Sequence, residues 1–125
     1  MAMMDYMKGK VEEFEKYLDQ EITILENESI TYYIVYDFIE TMVRRVRLWI
    51  NQHAHLPPDN FPAELRQEYL EARNYYLSKV EDDLAHHSRK YNPFDGSVWE
   101  DVSKELSNLA LFAKNLRENV TKPTP

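Results

Sequence analysis

Hydrophobic residues recur along most of the chain at steps of three and four, the spacing that places them on one face of an α-helix. Four such segments are separated by three short stretches that contain the breakers proline, glycine, asparagine or serine. The predicted helices span about residues 4–26, 30–53, 62–90 and 97–119, and a frayed tail follows at 121–125. Because short connections favour antiparallel neighbours, the pattern predicts an all-α fold, an up-down-up-down antiparallel four-helix bundle formed as one domain by residues 1–125.

The helical stripes also predict the core. They comprise Met4, Met7, Val11, Phe14, Leu18, Ile22 and Leu25 in the first helix, Val35, Ile39, Met42, Val46 and Trp49 in the second, Leu65, Tyr69, Ala72, Tyr76, Val80 and Leu84 in the third, and Trp99, Val102, Leu106, Leu109, Ala113, Leu116 and Val120 in the fourth. In the second helix the apolar arc is wider than one buried face. This width predicts either a central position or a contact with a second copy of the chain, a homodimer.

Local capping signals mark where the helices begin. Ser97 and Glu100 have the spacing of a capping box, in which each side chain accepts a hydrogen bond from a free backbone N–H. Ser29 is a candidate cap for the second helix, and Asp59 or Asn60 for the third.

Composition narrows the classes of function. The chain has 22 acidic and 15 basic residues and a net charge of −7, which disfavours binding to nucleic acid or anionic membranes. An acidic surface could instead contact a basic protein partner. Cysteine is absent, which excludes disulfides and thiolate chemistry. No apolar run is long enough for a membrane span, and residues 1–10 do not resemble a signal peptide, so a cytoplasmic location is predicted.

Nine tyrosines suggest contact surfaces, because tyrosine combines an apolar ring with a polar end. The candidate interface consists of Tyr32, Tyr33, Tyr36, Val43 and Tyr75. Tyr36, Trp49 and Tyr76 suggest an alternative: if these three side chains face inward, they line a small-ligand pocket in the bundle core.

The four histidines form two pairs, His53 with His55 and His86 with His87. Histidine pairs suggest metal binding. The second and third helices of an antiparallel bundle, however, end at opposite poles, and the Glu-x-x-His motif of di-iron bundles is absent. We therefore predict neither a metal nor a cofactor.

Five residues separate Arg47 from His53 near the end of the second helix, and Asn51 lies between them. This spacing resembles the arginine–histidine motif of HEPN-domain ribonucleases, which are also four-helix bundles. The resemblance implies that His53 acts on the ribose hydroxyl or the leaving oxygen, that Arg47 stabilises phosphate charge, and that Asn51 is a polar neighbour. It also implies a site formed by two protomers.

The sequence favours a non-enzymatic function over the ribonuclease. Two glycines cannot form a phosphate-binding loop, and the chain has no Gly-x-Ser-x-Gly elbow. The prediction is a small acidic protein that binds another protein or itself, as a regulator, an inhibitor or an immunity-type module. The HEPN-like ribonuclease and the small-ligand pocket are the alternatives.

Overall fold

The computed structural model describes residues 2–27, 32–93 and 96–118, with the backbone alone described at 32–34. These ranges contain four helices and no strand: α1 (Met3–Asn27), α2 (Tyr32–His53), α3 (Ala63–Tyr91) and α4 (Val98–Glu118). The all-α prediction is confirmed, and the described helix ends lie within two residues of the predicted ones. The predicted start at Ile30, the Ser29 cap, Val120 and the tail at 121–125 lie outside the described residues.

The hydrophobic stripes form the core, as predicted. It is made of Met7, Val11, Phe14, Leu18, Ile22 and Leu25 of α1, Val35, Ile39, Met42, Val46 and Ile50 of α2, Ala72, Tyr76, Leu77, Val80 and Leu84 of α3, and Val102, Leu106, Leu109, Ala110 and Ala113 of α4. Six predicted core residues are not fully buried: Met4, Trp49, Leu65, Tyr69, Trp99 and Leu116. Ile50 is buried in place of Trp49, whose indole lies half-buried 6.3 Å from the ring of Tyr17 at the boundary between α1 and α2. Leu65, in the first turn of α3, is 39% exposed.

The start of α4 shows a close variant of the predicted capping box. The Ser97 hydroxyl accepts a hydrogen bond from the Trp99 N–H at 3.2 Å, and the Glu100 carboxylate accepts one from the Gly96 N–H at 2.5 Å. Gly96 has a φ of 71°, a conformation that suits glycine because a Cβ atom would be strained there.

The start of α3 differs from the prediction. Pro62 occupies the cap position and no side chain caps the helix, so neither Asp59 nor Asn60 plays that role. The Pro62 carbonyl accepts hydrogen bonds from the Leu65 and Arg66 N–H groups instead. Proline fits this cap position because the helix needs its carbonyl as the first acceptor and does not need an N–H donor from it.

Side-chain contacts give the relative directions of the helices. α3 packs most extensively on α4, and the two are antiparallel, since Arg73 donates to the Leu116 carbonyl whereas Ser88 and Ser103 bond each other. α1 and α3 are parallel. The Met3 N–H near the start of α1 donates to Glu68 near the start of α3, and Tyr91 donates to Glu26 where both helices end.

Successive helices α2 and α3 are in limited contact, although their short connection suggested that they would pack side by side. α2 packs mainly on α4, in parallel, as contacts from Tyr36 to Asp101 and from Arg47 to Phe112 show. Residues 54–62 are long enough to carry the chain from the end of α2 to the start of a helix with which α2 makes only limited contact.

Arg73 of α3 connects the ends of these two parallel helices. It is 2% exposed. Its Nε donates to the Ala54 carbonyl just beyond α2 at 2.7 Å, and its Nη2 donates to the Leu116 carbonyl in the last turn of α4 at 3.1 Å. A cation at two helix C-termini is favourable, because both ends carry partial negative charge and free carbonyl groups.

Candidate functional site

The outer side of the α2–α4 pair exposes large apolar side chains. Leu48 of α2 is 57% exposed and Leu111 of α4 is 53% exposed. Their chain neighbours Arg47 and Phe112 contact each other, with the guanidinium carbon 5.4 Å from the ring centroid. Since a helix rises about 1.5 Å per residue, the two leucines lie at nearly the same level on adjacent helices. We call Val43, Arg47, Leu48, Leu111 and Phe112 the α2–α4 surface.

A groove of about 350 Å³ continues this surface toward the helix N-termini. It is lined by Tyr36, Ile39, Glu40, Val43 and Glu105. Tyr36, 39% exposed, donates a 2.6 Å hydrogen bond to Asp101 of α4. Glu40 forms an exposed 2.7 Å ion pair with Arg44. The apolar centre is therefore bordered by both signs of charge, a composition that suits a protein interface with a polar rim.

The five residues of the predicted interface do not all share one surface. Tyr36 and Val43 line the groove between α2 and α4, whereas the side chains of Tyr32 and Tyr33 lie outside the described residues. Tyr75 lies on α3, two residues from Arg73, which bonds Leu116. The level of Leu116 on α4 lies about four helical turns, roughly 22 Å, from Asp101, which is the partner of Tyr36.

Arg47 and His53, the residues of the ribonuclease hypothesis, face different helices. Arg47 packs on Phe112 of α4. The His53 ring lies 5.2 Å from the ring of Tyr76 in α3 and 6.3 Å from that of Tyr6 in α1. Asn51 is exposed. Within one chain, these groups do not converge on a common cleft, which argues against their joint action on one phosphate.

The predicted pocket residues are also separated. Tyr76 is fully buried, and its hydroxyl donates to the Trp49 carbonyl at 3.1 Å. Burial raises the pKa of Tyr76 far above its ordinary value. Tyr36, by contrast, lies on the surface beside Asp101. Trp49 of α2 and Tyr76 of α3 are therefore in contact with each other, whereas Tyr36 lies elsewhere on α2. The three side chains do not line one cavity.

A different cavity lies where the start of α1 meets the end of α2. It has a volume of about 420 Å³ and is lined by Ala2, Met3, Tyr6, Met7, Gln52, His53, Phe61, Tyr69 and Ala72. We call it the His53 groove. Sequence reasoning placed His53 near a helix end but did not identify its neighbours, because they come from α1, α3 and the connection at 54–62.

A cluster of titratable side chains lies between the parallel helices α1 and α3. It lines a cleft of about 320 Å³ and consists of Glu15, Asp19, Asp83, His86 and His87, with Leu18 at its base. The His87 Nε2 lies 3.3 Å from the Asp19 carboxylate, and burial lowers the pKa of His87. Burial, reinforced by the charge and hydrogen bond of Glu15, raises the pKa of Asp83 to about 7.

The sequence contained a signal for this cluster. Glu15 and Asp19 are four residues apart, as are Asp83 and His87, and this spacing places each pair on one helix face. The parallel alignment that brings the two pairs together could not be read locally. In the described part of the chain, no three histidine, aspartate or glutamate side chains are grouped so as to hold a metal ion.

Comparison of the chain with protein-family models, with curated proteins and with solved structures finds no match. The ribonuclease resemblance therefore rests on the Arg47–His53 spacing alone. None of the helices within the described ranges combines the length and the apolar character needed to cross a membrane.

Proposed function

We propose that the protein is a non-enzymatic protein-binding module, a regulator, inhibitor or immunity-type protein, and that its α2–α4 surface binds a second copy of the chain. The observation that carries this proposal is the exposure of Leu48 and Leu111 at one level of two adjacent helices. Single exposed leucines are ordinary, but apolar residues grouped within a polar border favour a contact surface. An arginine packed on an aromatic ring adds residue types that are enriched at interfaces.

Self-association also agrees with the local charges. In a twofold dimer the same patch lies on both sides, so it must be complementary to itself. The border of the α2–α4 surface contains Glu40 and Glu105 together with Arg44, and Arg47 lies within the surface itself. Rotation about a twofold axis can therefore pair acidic with basic side chains around the leucines. This proposal assumes that the whole chain forms an up-down-up-down bundle. The cytoplasmic location is a separate prediction from the sequence.

Sedimentation velocity over a concentration series in the tens of micromolar tests the dimer. The variants Leu48→Lys and Leu111→Lys place a charge at the centre of the surface, and we expect each to weaken self-association about tenfold or more. Ile24→Lys is the matched control, because Ile24 is also exposed, at 44%, and lies on α1, which makes no contact with α4 in the described residues. A wild-type monomer throughout the series would contradict the dimer.

A photo-crosslinking residue tests whether the α2–α4 surface binds a different protein or binds nothing. Placed at position 48 or at the control position 24 and expressed in the native host, it reports what touches each side. A defined adduct at 48 that is absent at 24 supports binding through this surface. Equal labelling at both positions would contradict a binding function for it.

A further inference from the structure

The His53 groove has the dimensions and the lining of a small-molecule site. Its volume of about 420 Å³ falls in the range of known ligand pockets, which are mostly apolar with a few polar groups. The rings of Phe61 and Tyr69 meet edge to face at 5.5 Å on one side, and Tyr6 lies edge to face with His53 on another. Methionine side chains complete the lining, and their flexible thioethers adapt to aromatic ligands.

His53 supplies a nitrogen acceptor in the groove, whose other polar lining groups are the Gln52 amide and the hydroxyls of Tyr6 and Tyr69. Burial is the main cause that lowers its pKa, and the nearby charge of Lys10 acts in the same direction. The imidazole is therefore neutral at neutral pH, with one nitrogen able to accept a hydrogen bond and the other able to donate one. Across residues 2–27, 32–93 and 96–118, its recorded contacts are with the rings of Tyr6, Trp49 and Tyr76, and none is a hydrogen bond.

The charges beside the groove favour a neutral ligand. The Lys10 ammonium lies 5.4 Å from the Tyr6 ring centroid, but it also forms a 3.2 Å ion pair with Glu13. Glu68, near Tyr69, accepts a hydrogen bond from the Met3 N–H. Since each of these charged groups already has a protein partner, neither an anion nor a cation is selected.

We propose that the His53 groove binds a small, planar, neutral aromatic molecule that carries one hydroxyl or N–H group, such as a phenol or an indole. The aromatic walls contact the faces and edges of the ligand. The hydroxyl or N–H group donates to the free nitrogen of His53. The groove lies among α1, α2 and α3, so this binding does not depend on the α2–α4 surface or on dimer formation.

Phenol and toluene are the probes, because they have nearly the same shape and differ in one hydrogen-bond donor. Binding is measured by two-dimensional NMR titration of the full chain. We expect shifts centred on groove residues and about fivefold tighter binding of phenol, the worth of one net hydrogen bond. Phenol should also lower the pKa of the His53 ring in an NMR pH titration, because a bond to the neutral imidazole disfavours its protonation.

Two variants identify the role of His53. His53→Phe keeps an aromatic wall but loses the acceptor, so the preference for phenol over toluene should vanish while toluene still binds. His55→Phe is the matched control, because His55 is exposed and does not line the groove; it should retain the wild-type preference. If His53→Phe does not fold, Phe61→Ala removes part of the wall and should weaken both ligands.

Three results would overturn the proposal. One is the absence of shifts at groove residues with either probe. Another is equal binding of phenol and toluene by the wild type, which would indicate a nonselective apolar groove suited to a partner's aromatic side chain. The third is a preference for phenol that survives in His53→Phe.

Discussion

Replacing Arg73 with methionine tests the account of how α2 and α4 are held together. Methionine keeps an unbranched apolar stem in the buried site but removes the guanidinium. The Ala54 and Leu116 carbonyls, now bonded at 2.7 and 3.1 Å, would lose a charged donor. Each hydrogen bond to a charged group contributes about 1.5 to 3 kcal/mol, so the two together contribute about 3 to 6 kcal/mol.

Part of this loss is recovered, because the variant no longer buries a cation. Burial lowers the pKa of Arg73, because the enclosed guanidinium loses contact with water. In the described residues, the recorded hydrogen-bond partners of Arg73 are neutral oxygens and include no carboxylate. The cost of burying the guanidinium is therefore offset by the partial negative charge of the two helix C-termini rather than by an ion pair. We expect a net destabilisation of about 3 kcal/mol, within the range for loss of one partner of a buried charge.

Urea unfolding followed by circular dichroism measures this difference, and a conserved slope with denaturant would show that the transition is comparable. Arg66→Met is the matched control, because Arg66 also lies on α3 and donates to a loop carbonyl, that of Pro58 at 2.8 Å, in an exposed setting. It should cost less than about 1 kcal/mol. If Arg73→Met costs no more than Arg66→Met, the proposed coupling of the helix ends is refuted.

The remaining predictions concern polar groups between helices. Asp83 has a raised pKa of about 7, whereas the unfolded carboxyl ionises near its ordinary value, so between about pH 4 and 7 the folded state holds more protons and stability falls as pH rises. Because the site is only partly buried, we expect Asp83→Asn to gain about 1 kcal/mol relative to wild type between pH 5 and 8 in urea titrations; a constant difference between the two proteins would contradict this. Ser103→Ala removes a 2.9 Å bond to the Ser88 carbonyl and should cost about 1 kcal/mol in the same assay, unlike the exposed control Ser107→Ala. Equal effects of the two serine variants would exclude a stabilising role for that bond.

Local sequence rules predicted the helices well, because each helix carries its own period of apolar residues. The stripe from Met7 to Leu25 in α1 is buried as expected, and the capping signal at Ser97 marks the start of α4 within one residue. These features depend on residues a few positions apart, the distance over which helical spacing is informative.

Features that depend on how helices pair could not be predicted in the same way. Burial of Arg73 follows from the parallel ends of α2 and α4, and the raised pKa of Asp83 follows from the parallel alignment of α1 and α3. A hydrophobic stripe indicates which side of a helix faces the core, but not which helix it meets. The separation of Arg47 from His53 has a simpler origin, since six positions at about 100° each place them some 120° apart around α2.

The parallel pairing of α2 with α4 links the packing of the bundle to its proposed function. Two parallel helices bring their negatively polarised C-termini to the same end, an arrangement that is unfavourable unless positive charge lies between them. Arg73 supplies that charge from α3. An antiparallel partner for α2 would not need such a cation, but it would place different residues beside Leu48. The parallel arrangement instead sets Arg47 on Phe112 and thereby brings two exposed leucines to one level. The surface proposed to bind a second copy thus depends on a buried cation that lies outside it.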